Sequence, residues 1–150
     1  MNKRDLVGRC GLYCGSCVIY RAERDSPEKQ KQLADKWRCP PEKVRCNGCG
    51  ALTPDSWGYD CKFIICQNKK GYKFCYECPD YETRTCKMFE DLSKSYFEED
   101  GVDMRKNLTT IQQGKIDKWL AFMKKKYTCK FCGKPTMTGA EKCYHCEKKI

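Results

Sequence analysis

The sequence predicts a small α+β protein stabilised by metal: a loop-rich, multi-cysteine N-terminal domain, short helices and a C-terminal zinc ribbon. Three observations carry that prediction. Cysteine fills 15 of the 150 positions, a density at which metals or cross-links stand in for missing core. Ten of these thiols form the pairs Cys14/Cys17, Cys46/Cys49, Cys75/Cys78, Cys129/Cys132 and Cys143/Cys146, all Cys-x-x-Cys. Two thiolates at that spacing reach one ion at about 2.3 Å, whereas a disulfide there is strained and redox-active. The remaining composition is polar, with 40% apolar residues, 33% charged residues and a mean hydropathy of −0.81, so a short chain has little else to bury.

Size and pattern exclude several classes. A (β/α)₈ barrel needs roughly 200 residues or more. No apolar run approaches the ~18 residues of a membrane span. Arg9, Cys10, Cys14 and Cys17 interrupt any signal-like stretch near the basic N-terminus, so the expected location is the reducing cytoplasm, where disulfides rarely persist. The formal charge of +10 counts every thiol as neutral. Three Zn²⁺–Cys₄ sites would each carry about −2, which brings the loaded protein to roughly +4. Much of the lysine excess therefore offsets thiolate charge.

Along the chain, Ser26-Pro27-Glu28 reads as a helix start, with a cap, a proline in the first turn and an acid at the positive end of the dipole. Leu33 and Trp37 follow four apart, and Pro40-Pro41 stops the element. From Cys39 to Cys78 the text is rich in Gly, Pro, Asp and Asn, with apolar pieces such as Phe63-Ile64-Ile65, which predicts loops and short strands. From about Tyr81 to Glu98, Met88, Phe89, Leu92, Tyr96 and Phe97 recur at helical spacing. Gly101 breaks that helix, and Asp103 caps a short one carrying Met104, Leu108 and Ile111. After Gly114, Ile116, Trp119, Leu120 and Met123 share one face of a last helix, ending in Lys124-Lys125-Lys126 at the negative end of its dipole. These stripes read as core packing. The boundaries expected are residues 1–90 for the cysteine-rich domain, 91–126 for a helical linker and 127–150 for the ribbon.

Cys129 and Cys132, ten residues, then Cys143 and Cys146 match the short form of a zinc ribbon. Gly133 lets the chain turn so that amides point at sulfur; Glu147 holds the equivalent place in the second knuckle. His145, the single histidine, reads as a surface residue beside a complete Cys₄ site. In the N-terminal half the candidate ligands are Cys10, Cys14, Cys17, Cys46, Cys49, Cys61, Cys66, Cys75, Cys78 and Cys86. With Cys39 they make eleven thiols, enough for two Cys₄ sites with three over or for a cluster with bridging thiolates. About three Zn²⁺ sites are expected for the chain. Cys10-x₃-Cys14-x₂-Cys17 also has the spacing of radical S-adenosylmethionine enzymes. Against that, Ser16 stands where those enzymes usually place an aromatic residue, and no barrel fits the length.

Cys10-Gly-Leu-Tyr-Cys14-Gly-Ser-Cys17-Val-Ile-Tyr20, Cys46-Asn-Gly-Cys49, Cys61-x₄-Cys66, Lys70-Gly71, Phe74-Cys75-Tyr-Glu-Cys78-Pro-Asp-Tyr81 and Cys86 together resemble domain of unknown function 3795. This is a cysteine-rich family of bacteria and archaea whose members include some with a C-terminal ribbon. The resemblance implies metal binding, leaves Cys39 outside the ligand set and implies no particular activity.

The function expected is therefore a non-catalytic, zinc-binding interaction module rather than an enzyme. No histidine–carboxylate motif offers a catalytic acid–base pair. The alternative is an iron–sulfur or redox protein of anaerobic metabolism, with a cluster at Cys10, Cys14 and Cys17. The partner expected is an acidic protein or a nucleic acid, met by a groove rimmed with Lys118, Lys124, Lys125 and Lys126. On the ribbon, Tyr127, Phe131 and Tyr144, with Lys130, Lys134 and Lys142, would either stack on a single strand or pack around the metal.

Overall fold

The computed structural model describes residues 2–150. Seven α-helices follow one another among them: α1 Val18–Asp25, α2 Pro27–Trp37, α3 Lys62–Lys70, α4 Pro79–Glu82, α5 Lys87–Asp100, α6 Met104–Gln112 and α7 Ile116–Lys126. Short 3₁₀ turns join the N-terminal ones. Among the described residues there is no strand, and β pairing is confined to the isolated bridges Val7–Tyr13, Thr128–Pro135 and Lys142–Lys149. The fold is thus a small helical one, and the sheet part of the α+β expectation is absent. The C-terminal hairpins stop after two rungs each. Thr136 N–H to Tyr127 O and Cys129 N–H to Lys134 O make the first; Ile150 N–H to Glu141 O and Cys143 N–H to Lys148 O make the second.

Helix boundaries follow local chemistry. The Ser26 hydroxyl accepts from Lys29 N–H at 3.2 Å, and the Asp103 carboxylate accepts from Lys106 N–H at 2.9 Å, each satisfying one orphan donor of a first turn. Gly101 closes α5 in the left-handed region at φ 64°. Two expectations are corrected. Phe63, Ile64 and Ile65 lie inside α3, where Phe63 and Ile64 face the core and Ile65 faces water. The helix expected from Tyr81 to Glu98 is two helices. Arg84 turns at φ 59°, the amides of Thr85 and Cys86 both donate to the Asp80 carbonyl, and α5 starts afresh after Cys86.

One hydrophobic cluster runs through Val7, Phe63, Phe74, Phe89, Met104, Leu108, Ile111, Trp119, Leu120 and Met123. The helical stripes are core, as expected, with Met88, Leu92 and Tyr96 packed against it; Phe97 is exposed instead. Asn107, buried on α6, ties the parts together. Its amide donates to Gly11 O at 2.9 Å, and its carbonyl accepts the Trp119 indole at 3.1 Å. Gly11 sits at φ 96° with α6 so close that a Cβ would lie 2.6 Å from the Met104 carbonyl. A smaller cluster of Ile19, Ala34 and Val44 joins α1 to α2, with Cys17, Cys39 and Cys46 against it.

Candidate metal centre

The C-terminal unit is two similar knuckles face to face. In each, the first cysteine accepts an amide four residues on: Gly133 N–H donates to Cys129 O, and Glu147 N–H donates to Cys143 O, both at 2.8 Å. The residue after each pair is left-handed, Gly133 at φ 71° and Glu147 at φ 59°. That turn brings the Phe131 amide to 3.4 Å from Cys129 Sγ. The Sγ atoms of Cys129, Cys132, Cys143 and Cys146 all lie within 4.8 Å of one another, the one such group of three or more ligand atoms among the described residues. Across the knuckles, Cys129–Cys146 and Cys132–Cys143 are both 3.7 Å apart. A tetrahedron with metal–sulfur bonds of about 2.3 Å has edges of about 3.8 Å, so the four sulfurs fit one ion.

Charge points the same way. The amide of Cys132, then that of Phe131, draws the Cys129 thiol down to about 6. The Lys148 amide also draws on Cys146, yet burial and the hydrogen bonds shared with Cys129, Cys132 and Cys143 leave it raised to about 11. Four thiolates so close need a cation between them to ionise together.

The unit is docked on the N-terminal half through residues other than its cysteines. Ser16, fully buried between Cys14 and Cys17, shares a hydroxyl hydrogen bond of 2.7 Å with Thr138 and accepts the Thr138 amide on its carbonyl at 2.9 Å. The Tyr144 hydroxyl donates to the Asp25 carboxylate on α1. His145, expected at the surface, is partly exposed and stands outside the group of four thiols. Its ring is half-buried against Tyr144, 4.2 Å between centroids, with Nε2 buried, and that burial lowers its basicity. Nothing in the spacing of cysteines signals the Ser16–Thr138 contact.

In the N-terminal half, α1 organises the first thiols. Cys17 caps it, Arg24 donates to Cys46 O at 3.0 Å, and the Glu23 carboxylate accepts the Cys46 amide at 3.2 Å. The Cys14 and Cys49 thiols share a hydrogen bond that, ahead of the Arg9 amide and charge, pulls Cys49 down to about 7. Burial pushes the Cys17 thiol up, with Cys46 and Cys49 adding to it, and burial likewise pushes Cys10 up, with Cys49, Cys75 and Cys61 adding to it. Further along, Cys66, Cys75, Cys78 and Cys86 line a single cavity beside α3 and α5. Cys61 caps α3 and is exposed. Cys39 packs on the Ala34 and Val44 cluster.

A profile described as "Protein of unknown function (DUF3795)" matches residues 6–91, more than half of the chain. The chain belongs to this family. The matched DUF3795 segment contains every cysteine from Cys10 to Cys86, while the double knuckle lies outside it. No curated protein and no solved structure matches the chain.

Of the basic rim expected, Lys124 lines a groove of about 520 Å³ between α7, the double knuckle and the Tyr13–Tyr20 segment, together with Lys3 and Arg21. Lys118 and Lys126 line another, of about 510 Å³, beside Trp119 and Phe122. Among the knuckle aromatics, Tyr127 stacks on Tyr13 at 6.0 Å and Tyr144 is held by Asp25. Phe131 stands half-exposed with the ammonium groups of Lys130 and Lys148 at 5.1 and 4.8 Å from its ring. Among the described residues no helix is long and apolar enough to cross a membrane.

Proposed function

We propose that this is a non-catalytic zinc protein whose metals hold a basic surface in shape for an acidic partner. The observation that carries this reading is the Cys129/Cys132/Cys143/Cys146 group, its four sulfurs within 4.8 Å of one another and two of the distances 3.7 Å. Zinc takes four thiolates in that geometry, and the filled site leaves no position for substrate or water. A zinc ion with four thiolates is also electron-rich and a weak Lewis acid, so its work is structural. Further zinc is expected among the thiols of residues 10–86, and the cytoplasm is the compartment such thiolates need. The contact surface would be the Phe131 ring with Lys130 and Lys148, together with Lys124 in the groove where Lys3 and Arg21 are already paired with Asp117 and Asp25. An exposed ring flanked by ammonium groups suits stacking and charge pairing with a single-stranded nucleic acid.

Purification without oxygen, followed by an absorption spectrum and elemental analysis, tests the metal. The expected result is colourless protein with about three zinc atoms per chain and no iron. Brown protein, with iron matched by sulfide, overturns it in favour of a cluster at Cys10, Cys14 and Cys17.

A further inference from the structure

Cys66, Cys75, Cys78 and Cys86 come from separate places in the fold: α3, the 3₁₀ turn Cys75–Glu77 with the residue after it, and the cap of α5. All four nevertheless line one cavity of about 30 Å³, room enough for an ion or a water molecule, although no three of their sulfurs lie within 4.8 Å of one another. Phe63, Phe74 and Phe89, all buried, help form the walls, and the four thiols themselves are half-buried.

Two side chains then point donors at these sulfurs. The buried Gln67 amide donates to Cys75 Sγ at 3.0 Å, and Lys70 Nζ, paired with the Asp80 carboxylate at 3.2 Å, also lies 3.5 Å from Cys78 Sγ. A neutral thiol is a weak acceptor, whereas a thiolate accepts strongly from such donors. The same amide also donates to Arg9 O at 3.2 Å, which fixes α3 against the opening segment and holds Cys66 toward the turn.

We propose that Cys66, Cys75, Cys78 and Cys86 are the ligands of a second metal centre, a tetrathiolate site for a thiophilic metal, with Gln67 and Lys70 as the positioning residues that donate to its sulfurs. The site is independent of the C-terminal one, because it shares no ligand or hydrogen bond with it.

The test is differential alkylation of the full-length, anaerobically purified protein with iodoacetamide, read cysteine by cysteine by mass spectrometry, alongside elemental analysis. Cys66, Cys75, Cys78 and Cys86 should be protected together, and should become reactive together when a chelator removes metal. In Cys86→Ser, alkylation of the other three should rise at least about tenfold and one metal centre should be lost, while Cys129, Cys132, Cys143 and Cys146 stay protected. Should that variant not fold, Lys70→Met still decides. It should weaken retention of added Zn²⁺ at these four thiols about tenfold with the stoichiometry unchanged. Zinc without sulfide and iron with sulfide both satisfy the proposal, and the elemental analysis says which metal is held. Free alkylation of these four in metal-loaded protein whose C-terminal thiols remain protected overturns it. Exposure of the C-terminal four alone overturns the ribbon reading and leaves this one standing.

Discussion

Glu147 is the residue whose identity and backbone disagree. Its φ of 59° is the geometry that its counterpart Gly133 adopts at 71° without cost. An L side chain in the left-handed region costs roughly 1–2 kcal/mol. Glu147→Gly should therefore stabilise the double knuckle by about 1 kcal/mol, and Gly133→Ala should destabilise it by a similar amount. Thermal unfolding of the metal-loaded protein measures both. This mismatch is legible in the sequence, because the first knuckle ends in glycine and the second does not. Ser16 is the opposite case. In the sequence it counts only against a radical S-adenosylmethionine motif, and only the fold shows its hydroxyl buried against Thr138, 122 residues away. A contact at that separation leaves no local pattern to read.

Element by element, the sequence is readable where a cap or break decides the outcome and obscure where burial does. Ser26, Asp103 and Gly101 mark real helix ends because each satisfies a backbone group or turns the chain locally. Phe63-Ile64-Ile65 misleads because a short apolar run serves a buried strand and a buried helix equally well. Thr85 and Cys86 hide a break, since their amides turn back to Asp80 with no glycine or proline to announce it. Between elements, Asn107 joins α6 to α7 and to the opening segment. Asn107→Ala leaves the Gly11 carbonyl and the Trp119 indole without that partner, so a loss of about 2–3 kcal/mol is expected, measured by urea unfolding. On α5, Tyr96 packs against the same core, and its phenol is pushed up to about 12, chiefly by burial and then by Cys17 and Cys10. A pKa raised above the unfolded value of about 10 means that this side chain's contribution is complete below pH 10. It is lost as pH climbs through about 12. Tyr96→Phe should hold its helix signal further into alkali than the native chain, and an unchanged alkaline midpoint would remove this account.

At the scale of the molecule, two kinds of cohesion meet. The cluster from Val7 to Met123 is ordinary side-chain burial that spans the opening segment and α3 through α7. The C-terminal unit has almost none of this. It buries Cys129, Thr136, Met137 and Cys143, makes two hairpin rungs on each side, and docks through Ser16–Thr138 and Tyr144–Asp25. A segment that small folds on its metal or not at all, since ion binding supplies the free energy its core lacks. The cysteine count makes this division visible in the sequence; what it hides is which surface the unit rests on. Chelation should therefore act unevenly. Residues 127–150 should lose amide protection throughout, including the Thr138 amide that donates to Ser16, while α6 and α7 keep theirs and the helix signal falls only modestly. Hydrogen exchange on the whole protein, before and after chelator, measures this directly. Equal loss of protection in α7 and in the knuckles would mean that the metal sites and the helical core form one cooperative unit, and that burial alone cannot hold the helices.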